Sequence, residues 1–137
     1  GLDWHKEEIS GTRLWSALFD NYGSVEKIFS KIFVVNHCPL MFFKGVNGTN
    51  ITPDKIPGET IKKIIQRCDV YLKEIVDIMQ IETVVGVGKY SKKRAEIALE
   101  ETKVNLKSCW HPSPASPLAN KNKGADWREN FRSVLPK

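Results

Sequence analysis

Two continuous apolar runs constrain this chain more than any other feature: Lys31 to Val35, which ends Ile-Phe-Val-Val, and Thr83 to Gly88. Neither alternates with polar residues, so each predicts a strand buried on both faces, the pattern of a parallel sheet covered by helices. Val104 to Trp110 is a third strand candidate, and helical patterns separate the three. Leu14, Trp15, Leu18 and Phe19 recur at helical spacing between Gly11 and Tyr22, with Ser10 placed as a cap. A short helix is expected from Ser24, with Val25, Ile28 and Phe29 facing inward. The clearest helix carries Ile61, Ile64, Ile65, Cys68, Leu72, Ile75, Val76 and Met79 every three or four residues. Ser91 is placed to cap a further helix to about Glu101, and Asp126 to Leu135 reads as a short closing one. Residues 45–58 are turn-rich, and 112–125 read as a loop rich in Pro, Asn and Lys. The expectation is an α/β fold with a mostly parallel sheet.

A chain of 137 residues fits one domain, 1–137, with no repeat and no linker to divide it. Its 41% hydrophobic and 27% charged residues are ordinary for a globular protein and argue against disorder. No apolar run is long enough to span a bilayer, and no secretory signal pattern is present. Cys38, Cys68 and Cys109 are odd in number and lack C-x-x-C spacing, which argues against a disulfide framework or a zinc site. Asn47-Gly48-Thr49 and Asn50-Ile51-Thr52 match the glycosylation sequon, and without a signal they read as a polar turn. The net charge of +5 is uneven: residues 1–85 carry 10 basic against 11 acidic side chains, and residues 86–137 carry 11 against 5. From charge alone, a polyanionic partner and a merely solvated basic surface are equally good explanations.

In open α/β sheets ligands sit beyond the carboxyl ends of the strands, where Asn36, Gly86 to Lys89 and His111 all fall. The three are expected to converge on one rim. Gly86-Val87-Gly88-Lys89 is a glycine turn between strand and helix whose backbone N–H groups can face an anion, though Ser91 stands where a dinucleotide site has its third glycine. Lys92, Lys93 and Arg94 are expected in the first helical turn, where cations oppose the helix dipole unless a phosphate binds there. Asn36 has a donor and an acceptor on one planar group, so held rigidly it can pair with N3–H and O4 of uracil and reject cytosine. Taken alone, it reads better as a strand cap before Pro39, and His37 reads as structural or exposed rather than catalytic. His111 is a candidate donor to the charge that builds on a departing base. Pro112-Ser113-Pro114 after it makes a stiff loop suited to wedging into a base stack.

With those motifs in hand, the chain resembles the uracil-DNA glycosylase family, in its single-strand-selective monofunctional type. The resembling stretches are Ser10-Gly11-Thr12-Arg13-Leu14-Trp15, Val35-Asn36-His37-Cys38-Pro39-Leu40, Asn50-Ile51-Thr52-Pro53, Val85-Gly86-Val87-Gly88-Lys89, and His111-Pro112-Ser113-Pro114 with Ala119-Asn120-Lys121. The resemblance implies a three-layer α/β/α fold, with Asn36 reading the pyrimidine edge and His111 stabilising the uracil anion. It further implies that the loop from Pro112 to about Lys123, with Pro112, Ser113, Pro114, Ala115 and Lys121, is a DNA wedge. The glycine turn and its lysines, Gly86, Gly88, Lys89, Lys92 and Lys93, are expected on their own chemistry to grip a DNA phosphate. No metal or cofactor is implied; the partner is DNA, single- and also double-stranded, the enzyme a monomer, and the compartment the nucleus. The family also opens its domain with a strand and a glycine-proline-rich motif that holds a water-positioning Asn and a uracil-stacking aromatic. This chain has no counterpart of that motif, so the first strand is expected to be missing. Where the family's wedge has Arg then Asn, Ala115 and Ser116 stand here. Two functions follow: a glycosylase that hydrolyses the N-glycosidic bond of uracil in DNA, or a truncated, inactive DNA-binding remnant of one. A nucleotide-cofactor domain is the weak third, because no acidic residue is placed to hold a ribose.

Overall fold

The computed structural model describes residues 8–46 and 48–137. The chain forms two compact units, one of residues up to Val34 and from Ser108 onward, the other of Val35–Lys107. Their boundaries fall inside the apolar run 31–35 and inside a strand, which is why no change of composition announces them.

The first unit is helical. Helix α1, Ile9–Tyr22, starts on Glu8, whose carboxylate accepts from the Ser10 N–H at 3.2 Å and from the Gly11 N–H. The expected cap, Ser10, lies inside the helix. An acidic side chain at this end satisfies two otherwise unpaired N–H groups and complements the helix dipole. Helix α2, Val25–Phe29, begins where expected and is capped by the Ser24 hydroxyl, which accepts from the Lys27 N–H. Of the three residues expected to face inward only Ile28 is buried, Val25 and Phe29 being exposed. After the second unit the chain returns through α5, Pro117–Asn120, a 3-10 turn at Lys121–Gly124, and α6, Ala125–Arg132. Residues 112–125 are therefore partly helical, where a loop was expected. Leu18, Ile28, Cys109, Ala119, Trp127 and Phe131 are buried, and the rings of Trp127 and Phe131 stack at 5.3 Å.

The second unit holds the strands. Strands β1, Phe42–Lys44, and β2, Thr49–Ile51, pair antiparallel, with Phe42 opposite Ile51. Asn47 of the first sequon lies outside the described residues, and Asn50 of the second sits in β2 rather than a turn. Helix α3, Glu59–Ile78, buries Ile61, Cys68, Leu72 and Val76, the stripe its periodicity predicts. Strand β3, Thr83–Val87, leads into α4, Gly88–Ala98, and β3 pairs with β4, Asn105–Cys109. Leu72 and Val76 of α3 pack on Ala95 of α4 and on Leu99, with Val84 and Leu106 of the two strands against them.

Helices with two small sheets make an α/β chain, as expected. The run 31–35 is a correction: residues 32–41 form neither helix nor strand, with a bend at His37 and Cys38. A strand needs a ladder partner, and among the described residues no backbone hydrogen bond joins 33–41 to a neighbour. Phe33, Val34 and Val35 are consequently exposed rather than buried. Among the described residues no helix is long and apolar enough to cross a membrane.

Candidate functional site

The first unit carries the His111 loop, and side chains from three helices hold it. Trp110, at the end of β4, is fixed on both faces of its backbone: its N–H donates to Asn130 Oδ1 at 2.8 Å and its carbonyl accepts from Trp127 Nε1 at 2.9 Å. Both partners are on α6, and Trp127 is almost wholly buried. From α1, Arg13 reaches across the loop. Its Nη1 donates to the Pro112 carbonyl at 3.0 Å and to the Ala119 carbonyl at 3.4 Å, and its Nη2 donates to Asn120 Oδ1 at 3.1 Å. Asn120 closes the loop from within, its Nδ2 donating to the Pro114 carbonyl at 2.6 Å. Ser113 Oγ accepts from the Ala115 N–H at 3.2 Å, and the Ser113 carbonyl accepts from the Ser116 N–H at 2.9 Å. Pro112 is buried, while Pro114 and Ala115 stand exposed at the tip.

His111 itself is exposed, and its Nδ1 lies 3.1 Å from the Ser113 backbone nitrogen. A backbone N–H can only donate, so Nδ1 accepts and the neutral ring carries its proton on Nε2. Among the described residues Nε2 has no hydrogen-bond partner. Partial burial lowers the pKa of the ring from its ordinary value, and the carboxylate of Glu8 opposes that shift. The result is a neutral donor on a clasped loop.

The second unit holds Asn36, exposed and one residue before a bend at His37 and Cys38. His37 turns inward, its side chain only 5% exposed. Its Nε2 lies 2.8 Å from Asp69 Oδ1 and its Nδ1 3.1 Å from the Tyr90 hydroxyl. Asp69, on α3, also receives the Arg94 guanidinium of α4, Nε donating to Oδ1 at 3.0 Å and Nη2 to Oδ2. Burial, with Cys38 next in effect, pushes the Tyr90 phenol up to about 12, so it remains an O–H donor for Nδ1. His37 is thus structural, as expected: it moors the segment bearing Asn36 to two helices. The Cys68 thiol is likewise pushed to about 11 by burial and by the Cys38 thiol beside it.

The glycine turn has a structural cause at each position. A Cβ on Gly86 would stand 2.6 Å from both Cα and N of Lys92, so a side chain there would drive β3 off α4. Gly88 has φ +84°, a backbone angle that side chains disfavour. Helix α4 begins at Gly88, not at Ser91, and this corrects the positions of the cations: Lys89 lies in the first turn and Lys92, Lys93 and Arg94 beyond it. Arg94 is committed to Asp69. Lys89, Lys92 and Lys93 are exposed, with Lys92 Nζ 2.8 Å from Glu96. In the first unit Lys121 is exposed, with Nζ 3.6 Å from Asp126.

Arg13, Asn120, Trp127 and Asn130 are supports that sequence reasoning did not assign. Arg13 and Asn120 stood within resembling stretches, but no local pattern links positions so far apart.

No family model matches the chain. Over 136 residues it is 35% identical to the single-strand selective monofunctional uracil DNA glycosylase of Bos taurus, and 34% identical to those of Rattus norvegicus and Mus musculus. Each alignment covers 98% of this chain but 50%, 49% and 48% of the respective relatives, so the chain spans about half the length of the curated relatives it matches. These matches set the chain among proteins similar to uracil-DNA glycosylases. Within that class the similarity is to the single-strand selective monofunctional type.

Proposed function

We propose that this chain carries the base-releasing part of a uracil-DNA glycosylase that acts on single-stranded DNA as a monomer and uses no metal or cofactor. The observation that carries this reading is His111, held by the Ser113 N–H as an Nε2–H donor on a clasped loop. In the reaction the bond between C1′ of the sugar and N1 of uracil breaks, and its electrons pass to the base, largely onto its carbonyl oxygens. Water adds to C1′ and gives up a proton, leaving an abasic site and free uracil. Nε2–H of His111 donates to the oxygen on which charge develops, a contact stronger in the transition state than before it. Asn36 is the reader of the pyrimidine edge, pairing with N3–H and O4 of uracil, and cytosine leaves both of its groups unpaired.

Gly86 to Lys89, with Lys92 and Lys93, meets the phosphate backbone, and Pro112 to Ala115 with Lys121 follows the strand beside the flipped nucleotide. The small exposed tip at Ala115 and Ser116 has no side chain long enough to fill the gap left in a duplex, which favours single strands. The same reading takes the sheet as mostly parallel within three layers.

Uracil release from a single-stranded oligonucleotide by this chain tests the proposal, with His111→Ala and Asn36→Ala beside it. Release that both substitutions abolish is expected. Salt-sensitive DNA binding without release would overturn it and leave a binding remnant.

A further inference from the structure

The peptide unit between Pro112 and Ser113 is held at both ends. Its carbonyl accepts from Arg13 Nη1 at 3.0 Å, and its N–H donates to His111 Nδ1 at 3.1 Å. A peptide unit is planar, so its C=O and N–H turn together. The guanidinium on α1 therefore sets the direction in which the Ser113 N–H points. Arg13 is itself anchored by the Ala119 carbonyl and by Asn120 Oδ1, on the far side of the loop. Its planar fork suits that three-way grip. A cation on the carbonyl also polarises the peptide and strengthens its N–H as a donor.

We propose that Arg13 is a positioning residue for His111: through the Pro112–Ser113 peptide it keeps the ring in the Nε2–H form. This role rests on the assignment of His111 as donor to the leaving base. Without the guanidinium the peptide plane can rotate, and the alternative tautomer, with its proton on Nδ1, becomes populated. That form presents a lone pair at Nε2, and a lone pair facing a developing oxyanion repels it. Arg13 touches neither base nor sugar in this scheme.

Nitrogen NMR of His111 in the full chain, with Arg13→Met as the variant, reads the tautomer without substrate. A single Nε2–H form is expected in the parent and a mixture in R13M. Uracil release is expected to fall in kcat with the Nε2–H fraction that remains, about two- to tenfold for a mixture that keeps between half and a tenth of that form, with KM unchanged. Asn120→Ala removes the second branch of the clasp but leaves the Pro112 contact, and is expected to keep the single tautomer. Arg13→Lys has one donor group and is expected to fall between parent and R13M in both readouts. A single Nε2–H form in folded R13M overturns the proposal, as does equal mixing in N120A. Should R13M fail to fold, an R13K variant identical to the parent in tautomer and kcat overturns it. If the parent released no uracil, the glycosylase reading would fall, while the tautomer would still decide the hold of Arg13 on His111.

Discussion

The backbone N–H of Ser113 donates to Nδ1 of His111 across 3.1 Å, within one turn of chain. The contact fixes more than a tautomer. A second proton can enter the ring only at Nδ1, where it would face the Ser113 N–H and break the bond. Geometry and partial burial therefore act in the same direction, and both keep the imidazole neutral.

The titration of His111 is the first consequence. Its midpoint, followed by NMR, is expected below the ordinary histidine value of about 6.5. Glu8 opposes the shift, so Glu8→Gln should lower the midpoint further while keeping an oxygen to cap α1. The sign for stability follows from linkage. A histidine with a depressed folded-state pKa binds fewer protons than in the unfolded chain, so its contribution is present above the unfolded pKa and lost as pH falls through the folded one. A midpoint that rises in E8Q contradicts this account.

Asp69 is the hub of the second unit, accepting from both His37 and Arg94. Asp69→Asn keeps the shape and removes the charge, leaving a guanidinium only 15% exposed without its counterion. The expected cost is about 3 kcal/mol, the low end for breaking a buried pair. Urea unfolding measures it, and a loss under about 1 kcal/mol would show that the network is held from elsewhere.

Gly86→Ala is expected to destabilise by about 2–3 kcal/mol. The added methyl would meet backbone atoms of Lys92 at 2.6 Å, which cannot swing away as a side-chain tip can. The measurement is a thermal melt, and an unchanged midpoint would mean that β3 and α4 pack less closely than described.

Lys92→Gln with Lys93→Gln tests the phosphate contact. Lys92 is held by an exposed pair with Glu96, worth about 0.3–0.5 kcal/mol, and can leave it for a phosphate. If both lysines meet the backbone, the slope of log affinity for single-stranded DNA against log salt should flatten by about 1.4. An unchanged slope removes both residues from the DNA surface.

Much of the fold was legible because it is local. The stripe from Ile61 to Val76 buries as its spacing predicts, Thr83–Val87 is a strand, and α2 begins next to Ser24. Periodicity reports which face of a segment is apolar, and a helix closes its own hydrogen bonds. A strand does not. The run at 31–35 is as apolar as Thr83–Val87, yet only the latter has a neighbour, β4, to complete its ladder. The start of α4 was misplaced at Ser91 because Gly88 turns directly from strand into helix at φ +84°, with no side-chain cap to mark it.

For the candidate site, the sequence by itself supplied the chemistry: an imidazole before Pro-Ser-Pro, an amide before His-Cys-Pro, and a glycine turn followed by lysines. Tertiary structure alone decided how those groups are held. Arg13 and the Pro112 carbonyl are 99 residues apart, and His37 is 32 from Asp69. No local pattern encodes such a pairing. A guanidinium or carboxylate reads as a solvated charge until folding brings its partner within 3 Å, and only then does it determine where a proton sits.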